Sequence, residues 1–125
     1  MLYSFIATFV TMIALDAFWL TLNLQSHTKL FESVQQAPLK IRLIPSLLIY
    51  ILMPAAATYF AINPAKTINE ASTRGATLGL SMYGLYDLTN YATLKGWTET
   101  MVLKDVLWGT TLTGVASAVG FYFRK

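Results

Sequence analysis

The sequence predicts an all-α integral membrane protein, a four-helix transmembrane bundle forming a single domain over residues 1–125. Three observations carry that prediction. Of the 125 residues, 55% are hydrophobic and only 12% charged, against about 25% charged in an ordinary soluble domain. Four apolar stretches of roughly 20 residues each are long enough, at ~1.5 Å per residue, to cross a hydrocarbon core of ~30 Å. The polar breaks between them are too short to hold a folded module.

The first span is expected at 2–24. It begins Met1-Leu2-Tyr3 with no preceding base and ends Asn23-Leu24-Gln25 with no small-x-small cleavage site, so it reads as structure instead of a secretory signal. Gln25 to Lys40, with His27, Lys29, Glu32 and Pro38, is expected to be the longest loop, and His27 a solvated loop residue. The second span, 41–62, has Pro45 in its opening turn, where a missing N–H costs little, and Pro54 nearer its middle, where a kink is expected. Asn63-Pro64 ends it. The third span covers 75–94. Lys95-Gly96-Trp97-Thr98-Glu99 is a tight link with Gly where a helix would stop, and the fourth span covers 101–123. Gly75 and Gly79 in the third span, and Gly109, Thr113, Ala116 and Gly120 in the fourth, present small faces that allow close approach to each other or to a second subunit.

Nine Lys and Arg against six acids give a formal charge of +3. The bases are scattered near segment ends and form no patch that could track a phosphate backbone, which argues against nucleic acid as a partner. With four spans, one side carries the amino terminus, Lys66, Arg74, Arg124 and Lys125, and the other Lys29, Lys40, Arg42, Lys95 and Lys104. Both loops of the second side are basic, which favours it as the cytoplasmic side, and a mixed topology fits the balance as well. The absence of Cys removes disulfides, thiolate metal ligands and thiol nucleophiles from consideration.

Chemistry is expected from acids at membrane depth, since an Asp at a helix centre costs about 2.5–3.5 kcal/mol to insert. Asp16 and Asp87 lie past the midpoints of spans one and three, and Asp105 in the first turns of the antiparallel span four. All three therefore fall toward one face of the membrane, together with Arg42 at the start of span two. Trp19 follows Asp16 by three, as Trp108 follows Asp105, while Asp87 has Asn90 and Tyr91 three and four on and Tyr83 four back, so each set shares a helix face. These nine residues are the candidate ligand, proton or cation site; no catalytic set, cofactor or metal site is assigned. The structural alternative is an ion-paired network in which Arg42 meets Asp16 or Asp87 and Asn90 completes the hydrogen bonds. For Asp105 the positive end of its helix dipole is a further explanation.

Tyr83-Gly84-Leu85-Tyr86-Asp87-Leu88-Thr89-Asn90-Tyr91-Ala92-Thr93-Leu94-Lys95-Gly96-Trp97, with Asp16-Ala17-Phe18-Trp19-Leu20 and Asp105-Val106-Leu107-Trp108-Gly109, resembles the family of predicted bacterial membrane proteins filed as domain of unknown function 2177. The resemblance spans nearly the whole chain and implies a four-span protein of the bacterial cytoplasmic membrane, with Asp16, Trp19, Asp87, Asn90, Trp97, Asp105 and Trp108 as motif positions. It implies no activity. The first functional expectation is a small transporter or binder of a small ligand or cation through the carboxylates, assembled as a homodimer among membrane lipids. The alternatives are a membrane enzyme acting on a lipid, with an acid as general base, and a non-catalytic membrane subunit.

Overall fold

The computed structural model describes residues 1–124 and is all-helical, with four helices and no strand among them. Helix α1 runs Leu2–Gln35, α2 Leu43–Ala56 with a π-helical continuation Ala57–Ile62, α3 Ile68–Thr93 and α4 Glu99–Tyr122. The helices alternate in direction. The α1–α2 and α3–α4 links therefore lie at one end, with both termini and the α2–α3 link at the other.

Helix α1 corrects the reading of 25–40 as a loop. Its 34 residues make a rod of ~51 Å, well beyond the ~30 Å hydrocarbon core. Nothing between Gln25 and Gln35 breaks a helix, since polarity alone does not. The stop comes at Gln36, whose left-handed φ of 56° turns the chain while its N–H bonds to the Glu32 carbonyl. The Glu32 carboxylate then accepts the Leu39 N–H at 2.9 Å.

Helix α2 carries Pro45 in its first turn and Pro54 inside it. Pro54 has no N–H for the Tyr50 carbonyl, which interrupts the ladder. One turn later the chain adopts π-helical pairing, with Asn63 N–H donating to Thr58 O at 2.9 Å. Residues past the proline are deeply buried: Ala57, Thr58, Ala61 and Ile62 are covered by neighbours. Between Leu43 and Ala56 the helix backbone comes within 8 Å of α1 and of neither α3 nor α4, which only the π turn approaches that closely.

Helices α3 and α4 form the closest pair, through the small faces expected to pack. A Cβ at Gly79 would lie 2.8 Å from Thr113 Cβ, and one at Gly109 would enter the Tyr83 ring. Threonine caps start both helices, Thr67 Oγ1 accepting Glu70 N–H and Thr98 Oγ1 accepting Met101 N–H, each at 3.1 Å. Gly96, at φ 97°, turns the link between them. The bundle core is Met12, Ala57, Leu112 and Ala116, and the exterior is a girdle of exposed Leu, Ile and Val. Helix α1 and the 20 residues Leu43–Ile62 are each long and apolar enough to cross a membrane.

Candidate functional site

The two Asp-x-x-Trp segments interlock. Because α1 and α4 run antiparallel, Asp16 comes level with Trp108, whose indole N–H donates to Asp16 Oδ1 at 3.0 Å. Trp19 stacks flat on Trp108, ring centroids 4.7 Å apart and planes within 5°. The mirror bond, from Trp19 to Asp105, is not made, and the buried Trp19 Nε1 has no partner. From α2 the Tyr50 hydroxyl donates to Asp16 Oδ2. Toward the link end, Lys104 Nζ donates to Asn23 Oδ1 at 2.8 Å and sits 5.8 Å from the centre of the Trp19 ring.

Asp87 occupies a different environment. It is 0% exposed, and neither carboxylate oxygen has a hydrogen-bond partner. The side chains beside it are Asp105 and the Trp97 indole. Trp97 is itself 5% exposed with its Nε1 unpartnered, held edge-on by Phe31 from the extended part of α1, with Tyr86 on α3 beside it. The α1 extension thus roofs Trp97 over. Tyr83 packs on the core beneath and lies within electrostatic reach of Asp16, Asp87 and Asp105 together.

Two candidates lie outside this cluster. Arg42 is an exposed N-cap residue of α2, whose carbonyl accepts from Ser46, and it pairs with no acid. Among the described residues the ion pair present is Arg74 with Glu70, at 3.1 Å near the opposite end. Tyr91 turns outward and donates to Glu99 at 2.8 Å. Asn90 is half-buried beside Tyr86, and its carbonyl receives the Leu94 N–H at the end of α3. The dipole explanation of Asp105 also fails. Glu99 fills the first turn of α4, and Asp105 lies two turns in.

Three participants escaped the sequence reading. Tyr50 gave no signal beyond its place four residues before Pro54. Trp97 was visible as a motif position but not as a buried one. His27 is on α1, half-buried, with its Nδ1 enclosed and unpartnered. Burial holds its imidazole below the ordinary value of 6.5, against the opposing pull of Asp105; Lys104 lowers it further, Asp16 and the Asn23 backbone raise it. Its i+4 relation to Asn23 and i+8 relation to Trp19 is the signal that could have placed it.

No curated protein and no solved structure matches the chain. The family described as a predicted membrane protein (DUF2177) matches residues 1–122. With its apolar helices and a match over nearly its whole length, the chain belongs to that family of membrane proteins.

Proposed function

We propose that this protein crosses the bacterial cytoplasmic membrane four times and binds a proton or small monovalent cation at Asp87 and Asp105, coupling it to the movement of a solute. The observation that carries the reading is the Asp87 carboxylate, buried, without a hydrogen bond, and next to a second acid. Burying an uncompensated charge of this kind is costly enough that a positive partner must accompany it. The nearest bases do not serve: Lys104 is engaged with Asn23, and Arg42 is outside. A proton or a monovalent ion completes the pair. The unpartnered indole N–H groups of Trp19 and Trp97 supply hydrogen-bond donors when the acids are charged, which would steady the empty state. Four helices enclose too little space for a pathway by themselves, and the reading therefore takes the working unit as a homodimer in lipid.

The test is flux in proteoliposomes under an imposed proton or sodium gradient. Wild-type protein should carry gradient-linked flux and Asp87→Asn should abolish it, while Arg42→Gln leaves it within about twofold. Unchanged flux in Asp87→Asn, or none in the wild type with any ion tried, removes the reading.

A further inference from the structure

The upper part of α2 stands apart from the rest of the bundle. From Leu43 to Ala56 its backbone comes within 8 Å of α1 alone, and it comes that close to α3 and α4 only at the π turn. Leu47, Leu48, Ile51 and Leu52 are all more than half exposed. The backbones of α2 and the α3–α4 pair therefore diverge as a wedge, along the side where Asp16 and Tyr83 are only partly buried. Apart from bonds within α2, the side-chain hydrogen bond from this stretch among the described residues is that of Tyr50 to Asp16. Pro54 and the π turn lie immediately beyond it, where the helical ladder is already broken. The deeply buried residues after the proline fix the lower end of α2 in the bundle.

We propose that this wedge is an entrance from the bilayer, through which the positively charged head of an amphiphile reaches Asp16 while its apolar part stays in lipid. The charge follows from the site. Among the described residues Asp16 has hydrogen-bond donors in Tyr50 and Trp108 but no Lys or Arg, and the deeper Asp87 is buried and unpartnered. Three acids within electrostatic reach of Tyr83, with two stacked indoles beside Asp16, attract a cation by charge and by ring faces. The apolar part follows from the route, since exposed Leu and Ile line the α2 side. An ammonium head would replace the Tyr50 hydroxyl on Asp16 and so release α2. The inference rests on the cluster being a cation site, but it engages Asp16 where ion coupling engages Asp87.

The experiment uses the full chain in lipid nanodiscs and hexadecyltrimethylammonium brominated along its chain, which quenches tryptophan at short range. Quenching should saturate with the cation and stay unsaturated with brominated palmitate, an anion of equal length. Asp16→Asn should weaken the apparent affinity at least tenfold, whereas Asp16→Glu keeps the charge and retains it. Tyr50→Phe, which removes the competing hydroxyl, should tighten binding several-fold. Arg42→Gln, outside the cluster, should leave it within about twofold, and because quenching is read without flux, saturable binding in a protein that carries no ion-linked flux separates the two readings. Saturation in nanodiscs of brominated phosphatidylethanolamine would identify a lipid head as the source; saturation with the free ammonium alone would identify a soluble amphiphile. Persistence of saturable binding in Asp16→Asn, its loss in Asp16→Glu, or equal saturation by the anion overturns the proposal.

Discussion

Aspartates 16 and 87 are the same residue type at similar depth, and their surroundings divide their roles. Asp16 is held by two donors from two other helices, a geometry that fixes α1 against α2 and α4. Asp87 is held by none. His27 reports on the same cluster from above. Because burial lowers its pKa, the folded state favours neutral imidazole: that contribution to stability is complete above about pH 6.5 and is lost as pH falls through the lowered value. Thermal unfolding in detergent should therefore show a fall in Tm between pH 7 and 5 that is smaller in His27→Gln. An equal fall in both proteins would remove His27 from the account. That Asp87 and Asp105 would come together was readable from their places along the third and fourth apolar stretches. Arg42 was misplaced because charge complementarity does not say where a helix begins: it became the N-cap of α2, outside the contact it was expected to make.

At the scale of helices, spacing and small residues carried most of the information. The pairing of α3 with α4 follows from Gly75, Gly79 and Gly109, where larger side chains would collide with Ser117, Thr113 and Tyr83. Gly79→Val should thus destabilise the folded protein by about 1–3 kcal/mol, the cost of overpacking, read as a lower midpoint in a denaturant titration. Gly84→Ala provides the contrast. Nothing lies within 4 Å of its added Cβ, and its effect should be neutral or stabilising by about 0.5–1 kcal/mol. Equal losses at the two positions would contradict the packing described. What spacing did not reveal was the length of α1. Hydropathy marks where lipid ends, not where a helix ends, and the stop depends on a left-handed residue at Gln36 that no Gly or Pro announces. The π turn was hidden for a related reason: Pro54 predicts a break, but the pairing that absorbs it depends on what packs against the following residues.

For the molecule as a whole, four antiparallel helices convert scattered motifs into one cluster. The alternation of direction brings the ends of α1 and α3 beside the starts of α2 and α4, so acids distant in sequence share a level. The α1 extension then closes the link end with Phe31 over Trp97. Membrane character and helix count were legible because they depend on composition and length. The inner arrangement depends on rotations about each helix axis, to which spacing gives only the face. The central claim is that Asp87 and Asp105 form one coupled site next to Asp16. Infrared titration of aspartate-labelled protein in lipid, comparing wild type with Asp105→Asn and Arg42→Gln, tests it most directly. The carboxyl band lost in Asp87→Asn should move its titration midpoint when Asp105 is replaced and keep it when Arg42 is replaced. An Asp87 band that titrates identically in all three proteins would contradict it.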